Sequence, residues 1–234
     1  MTAENIAERS GIDRAKQDAF AVESHRRAAA AIADRRFSGQ ILPITVKQGR
    51  TEKLFDTDEH VRSNVSLEDM AKLRPAFSKD GTVTAGDASG LNDGAAALIL
   101  MEESVAKAHG VKALGRIIAT GFGGVAPEVM GMGHVPASRQ ALQRAGLTVA
   151  DMDVIESNEA FAAQDCAVSA ELEFPEDKVN PNGGAVALGH PVGASGAIIL
   201  IKLCYELERI GGRYGLATMC IGGGQGIAMV IGQV

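Results

Sequence analysis

Tyr214-Gly215-Leu216-Ala217-Thr218-Met219-Cys220-Ile221-Gly222-Gly223-Gly224-Gln225-Gly226-Ile227-Ala228-Met229-Val230-Ile231 holds two apolar runs parted by three consecutive glycines. That spacing predicts an antiparallel hairpin with strands over Tyr214 to Met219 and Ile227 to Ile231. A helical stretch, Gly196 to Ile210, precedes it and is ended by Gly211-Gly212. Further upstream, Leu114 to Thr120 reads as a strand and Ser138 to Ala145 as a helix. Val154-Ile155 is a short strand entering a helix over Glu159 to Leu172. Strands alternate with helices, so residues 113 to 234 are expected to form a layered α/β domain.

The first part of the chain has a different character. Asp13 to Arg36 is rich in alanine and free of Gly and Pro, which predicts a long helix with Asp13 as its cap. Phe37 to Asp87 mixes short apolar pieces with many polar residues and reads as an excursion from the core. Ala95 to Met101 is a continuous apolar run suited to a buried strand, with a helix following over Glu102 to His109. No sheet upstream is available for that strand to join, and an unpaired strand is costly or sticky. The expectation is that an N-terminal portion or a second chain supplies its neighbours. The division is a helical and loop segment over 1–93, a short tail over 94–112, and the α/β domain over 113–234.

Of the 234 residues, 46% are hydrophobic and 22% charged, a globular profile. Acidic residues outnumber basic ones 29 to 23, and the net charge of -6 argues against a nucleic-acid scaffold. No apolar run approaches the ~18 residues a membrane span needs. The start, Met1-Thr2-Ala3-Glu4-Asn5, has neither the basic opening nor the apolar middle of a signal peptide, so a cytoplasmic protein is expected. The three cysteines and five histidines show no disulfide or metal-ligand spacing, so no metal is expected.

Three segments carry reactive side chains, two of them among glycines. Ser157-Asn158-Glu159-Ala160-Phe161 places an amide where a strand ends and a helix starts, a common ligand position in α/β sheets, although Asn158 would also serve as a simple helix cap. Asn180-Pro181-Asn182-Gly183-Gly184 leads on to Gly189-His190-Pro191, a histidine held in a turn before a helix whose first N–H groups are free. Cys220 ends a strand, with four glycines among the six residues after it. That arrangement suits backbone N–H groups aimed at a developing negative charge, while the plainer reading is a cysteine at a hairpin end. Cys166 and Cys204 lie among apolar helical residues and read as buried filler.

Together, Asn158-Glu159-Ala160-Phe161, Gly189-His190-Pro191 and Cys220-Ile221-Gly222-Gly223-Gly224 resemble the three C-terminal signature blocks of thiolases in order and spacing. Thr84-Ala85-Gly86-Asp87-Ala88-Ser89-Gly90-Leu91-Asn92-Asp93-Gly94 resembles the coenzyme A loop of the same family. The resemblance implies a thiolase-like αβαβα architecture, here mainly its C-terminal βαβαβαββ half with part of the helical loop domain. It implies acyl transfer between coenzyme A thioesters, either condensation of acetyl-CoA or thiolysis of 3-ketoacyl-CoA, with no cofactor.

By the same resemblance, a cysteine of the family's N-terminal half takes the acyl group. His190 activates that cysteine, Cys220 moves the proton on the acetyl α-carbon, Asn158 orients a water, and the N–H of Gly222 helps to form an oxyanion hole. Ser89 would meet the pantetheine arm and Arg62 the nucleotide, with Phe77, Ala85 and Ala88 along the groove and Met130 and Phe161 shaping the acyl pocket. Asp87 and His134 stand where the family often has asparagine and proline. None of the three cysteines matches the acyl-accepting one, so turnover is expected only with an N-terminal thiolase portion or second chain, in a homo-oligomer. The alternatives are a non-catalytic module binding coenzyme A or an inactive fragment. A ketoacyl synthase is disfavoured because those enzymes use histidine where this chain has Cys220.

Overall fold

The computed structural model describes residues 1–234. Helices α1 (Thr2–Ser10) and α2 (Arg14–Ala33) open the chain, followed by strands β1 (Ile44–Gln48) and β2 (Thr51–Phe55) and helices α3 (Leu67–Ala71) and α4 (Glu103–Ala108). The second part runs β3 (Arg116–Gly124), a 3₁₀ turn over Pro127–Gly133, α5 (His134–Ala145), β4 (Val154–Ser157), α6 (Ala162–Leu172), α7 (Ala185–Leu188), α8 (Ser195–Ile210), β5 (Tyr214–Ile221) and β6 (Gln225–Gly232).

The predicted hairpin is present: β5 and β6 pair antiparallel, with Cys220 opposite Gly226 and Ile221 opposite Gln225. Gly223 and Gly224 turn the chain at φ 85° and 91°, a region closed to most side chains. The four-stranded sheet has the order β3-β6-β5-β4, with β4 parallel to β5 and the other pairings antiparallel. Successive residues face opposite sides. Ile155, Leu216, Ala228 and Val230 join Ala141, Leu142, Val168 and Leu172 of α5 and α6 in one core. Val154, Ala217 and Ile231 pack with Ile199, Leu203 and Leu207 of α8 in another. The result is helix, sheet and helix in three layers. The third strand of the βαβαβαββ order is reduced to a bridge between Ile155 and Val179.

The glycines let backbones meet closely where this layer joins the 3₁₀ turn. A Cβ on Gly226 would lie 2.0 Å from the carbonyl oxygen of Gly133. Helix α5 starts at His134, four residues before the expected Ser138. Pro136 falls in its first turn, where a missing N–H costs nothing.

Asp13 caps α2 as expected, accepting a hydrogen bond from the N–H of Lys16 at 2.8 Å. One expectation is corrected. Ala95 to Met101 forms no strand, and Ile99 and Leu100 are 88% and 72% exposed. The run joins neither sheet: one holds β1 and β2, the other β3, β6, β5 and β4. An apolar run without ladder partners has no reason to extend into a strand. The Phe37 to Asp87 excursion holds the exposed β1–β2 hairpin and the short helix α3. No helix is long and apolar enough to cross a membrane.

Candidate active site

β4 ends at Ser157, and the N–H of Asn158 extends the parallel pairing by donating to the carbonyl of Thr218 at 3.0 Å. This seats Asn158, 2% exposed, beside β5, in which Cys220 lies two residues beyond Thr218. His190 approaches from the loop before α8. Gly189 turns at φ 96°, and a Cβ there would meet Asn92 Oδ1 at 2.6 Å. The same Asn92 oxygen accepts from the His190 N–H at 3.1 Å, and Leu91 bridges to His190. On the ring, Nε2 lies 3.3 Å from Asn158 Nδ2 and Nδ1 lies 2.6 Å from Ser195 Oγ. Burial lowers the pKa of His190 from its ordinary value, which favours the neutral imidazole.

Cys220 is buried at the end of β5, and burial pushes its thiol up to about 11. Gly222 follows it, exposed at the hairpin tip. The segment read as a coenzyme A loop is stitched to the same region. Ser89 donates its N–H to the carbonyl of Ala160 at 3.1 Å, Ala162 donates to the carbonyl of Asp87 at 2.8 Å, and Ala88 bridges to Phe161. Phe77 stacks edge-on against Phe161, with centroids 5.8 Å apart. Ala85 is exposed on that loop and Met130 is half-buried in the 3₁₀ turn.

Arg62 is exposed, and its N–H donates to His25 Nδ1 at 3.1 Å. The His25 ring lies 6.4 Å from that of His60, which abuts Gly90. The structure therefore gathers Asn158, His190 and the strand end at Cys220, with Ser89, Ala88, Phe161 and Phe77 alongside. Asp87 and His134 serve locally. The buried carboxylate of Asp87 accepts from the N–H and hydroxyl of Thr84, and His134 Nδ1 bonds the carbonyl of Gly131 at 2.9 Å.

Beneath this cluster lies a polar network that the sequence reading missed. Glu159 accepts from Ser24 Oγ at 2.7 Å, Asn180 Nδ2 at 2.9 Å and the N–H of Val186 at 3.1 Å. It thereby ties α2, the Asn180 turn and α7 to the residue after Asn158. Lys202 donates to Glu156 and to the carbonyl of Gly183, both at 2.6 Å. Ser157 donates to Asp165 in a very short bond. A glutamate inside an apolar strand and a lysine inside an apolar helical run were the available signals. A cavity of about 560 Å³ between α2 and α6 lies on the far side of Glu159 and shares no residue with the His190 cluster.

Burial raises Glu156 to about 7 and Asp165 to about 8. The native state therefore holds protons there that the unfolded chain has lost, and this contribution to stability disappears as pH rises through about 7 to 8. His25 and His134, lowered to about 4 chiefly by burial, have the opposite sign and lose their contribution as pH falls from their ordinary 6.5 towards 4. Above pH 6.5 the histidines no longer change, and the acids still do. Thermal melts are expected to show a falling Tm between about pH 6.5 and 8.5, flattened in Asp165→Asn. A Tm that holds steady or rises over that window would contradict the buried charges described here.

The chain matches two family models, "Thiolase, N-terminal domain" over residues 1–104 and "Thiolase, C-terminal domain" over residues 111–233. It is 55% identical over 235 residues to beta-ketothiolase BktB of Cupriavidus necator, covering 100% of this chain and 60% of that protein. It is 55% identical over 231 residues to an acetyl-CoA acetyltransferase of Escherichia coli K12, covering 99% and 59%. Among solved structures, the acetyl-CoA acetyltransferase of Bacillus anthracis superposes with a TM-score of 0.98 at 48% identity, covering all of this chain and 59% of that one. Human mitochondrial 3-ketoacyl-CoA thiolase in complex with CoA superposes at 0.93 and 44%, covering 100% and 58%. The chain thus spans about 60% of the length of these relatives. With its signature segments gathered at one end of the sheet and both family models matched along its length, it belongs to the thiolase family.

Proposed function

We propose that this chain supplies the acid/base half of a thiolase site that transfers acyl groups between coenzyme A thioesters. The observation that carries the reading is the hydrogen bond between Asn158 and His190, held beside the strand that carries Cys220 towards its glycine turn. In this reading His190 Nε2 takes the proton of an incoming thiol, either the acyl-accepting cysteine or coenzyme A. Cys220 exchanges the proton on the α-carbon. A thiol pushed up to about 11 stays protonated until a strongly basic enolate takes its proton and, once ionised, is a stronger base than an ordinary cysteine.

The enolate still needs hydrogen-bond donors in a dry site, where each pKa unit recovered is worth about 1.36 kcal/mol. The Asn158–His190 pair would serve the enolate oxygen, through a water oriented by Asn158, and the N–H of Gly222 the oxyanion of the acyl thioester. Ser89, Ala88, Ala85 and Phe77 would line the pantetheine groove, with Arg62 near the nucleotide and Met130 and Phe161 at the acyl end. The stitching of the Ser89 loop to Ala160 and Ala162 supports that placement.

No group of three His, Cys, Asp or Glu side chains is gathered to hold a metal. The acyl acceptor would come from an N-terminal thiolase portion or a second chain, in a cytoplasmic homo-oligomer. The experiment is reconstitution with a polypeptide carrying that cysteine, followed by an assay of acetoacetyl-CoA thiolysis.

A further inference from the structure

His190 is bonded at both ring nitrogens, and the two bonds agree on where its single neutral-state proton sits. Ser195 Oγ lies 2.6 Å from Nδ1 and 3.0 Å from the carbonyl oxygen of Pro191, four residues back. A serine at the start of a helix commonly gives its hydroxyl proton to such an i−4 carbonyl. With that proton committed, the Ser195 oxygen has only lone pairs to offer the ring, so Nδ1 carries the hydrogen. On the other side the Asn158 amide group donates towards Nε2 at 3.3 Å, which requires a lone pair there.

We infer that Ser195 is the positioning residue that fixes His190 in its Nδ1–H tautomer and leaves the Nε2 lone pair as the basic atom. Ser195 is 3% exposed, so bulk water has poor access to replace its hydroxyl. The main chain is fixed as well, by the bond from the His190 N–H to Asn92, which leaves the ring's own contacts to decide its proton.

The choice of a hydroxyl has a chemical consequence. A carboxylate at this position would hold an imidazolium and raise the histidine's pKa, whereas a hydroxyl orients the ring without adding charge. When a thiol S–H bond breaks and the Nε2–H bond forms, the ring carries the positive charge and a thiolate remains. No proton passes further, because Ser195 already spends its own on Pro191. The value of this arrangement for turnover rests on the thiolase reading above, but the tautomer itself does not.

The test is the long-range proton–nitrogen spectrum of nitrogen-15-labelled imidazoles in the 234-residue chain at neutral pH, with the His190 signals assigned by their absence in His190→Gln. The wild type is expected to show a protonated Nδ1 and a lone-pair Nε2. Ser195→Ala is expected to lose the Nδ1–H form, and Ser195→Thr, which keeps the hydroxyl, to retain it. A wild-type Nε2–H form, or an unchanged tautomer in Ser195→Ala, would overturn the inference. The wild-type and Ser195→Thr spectra decide the matter should the alanine variant not fold. Absence of turnover after reconstitution would count against the thiolase reading and leave these spectra unaffected.

Discussion

Replacing Cys220 by alanine is expected to lower α-proton exchange of acetyl-CoA in the reconstituted enzyme by about 10²- to 10⁴-fold, the usual worth of a positioned acid or base. Cys220 is the cysteine at the sheet end where the signature segments meet; Cys166 lies within α6 and Cys204 within α8. Alanine keeps the strand pairing with Gly226 and removes one sulfur from a site where cysteine packs as a small apolar residue. The fold should therefore survive, and the loss reports chemistry. Deuterium uptake from heavy water into the acetyl group measures it, with circular dichroism as the folding control. Exchange at the wild-type rate would remove Cys220 from the proposed role.

Lys202→Met is expected to cost about 3–5 kcal/mol of unfolding free energy near pH 8, the usual penalty for stripping one partner from a buried ion pair. Lys202 is 4% exposed, and Glu156, Glu159 and Asp165 are each within 2% of complete burial. Methionine would fill a similar space while leaving Glu156 and the Gly183 carbonyl without their donor. Glu156, already raised to about 7, can relieve part of the strain by taking up a proton, so the cost should shrink near pH 5.5. Adding Glu156→Gln should recover part of it. Urea unfolding at the two pH values measures both effects. A loss below about 1 kcal/mol at pH 8, the range of exposed pairs, would contradict the buried geometry.

Much of this architecture was legible in the sequence because periodicity and glycines report local structure directly. The β5–β6 hairpin follows from two apolar runs around Gly222-Gly223-Gly224, and α2 from an alanine-rich stretch behind Asp13. The site was legible for a different reason. Asn158, His190 and Cys220 each sit near the end of a strand or helix, the last two beside glycine or proline, and the family resemblance joined them across the chain. What stayed hidden depends on neighbours.

Ala95 to Met101 has the composition of a buried strand, yet composition cannot supply a ladder partner, and in this chain the run is exposed. The β1–β2 hairpin has almost no buried face, so no apolar alternation announced it. The Glu156–Lys202 pair joins residues 46 positions apart. Each charge stood out inside its apolar run, but only the packing of α8 on β4 shows that they answer each other. Ser195 lies five residues past His190, and its bond to Nδ1 appears only once the turn at Pro191 brings it back over the ring.

Acetoacetyl-CoA thiolysis, measured for this chain alone, for a polypeptide carrying the cysteine region of a thiolase alone, and for the two together, tests the acid/base-half reading most directly. The expected result is turnover only from the mixture, abolished by His190→Ala in this chain. Turnover by this chain alone would contradict the reading, and so would a stoichiometric complex that binds coenzyme A yet releases no acetyl-CoA.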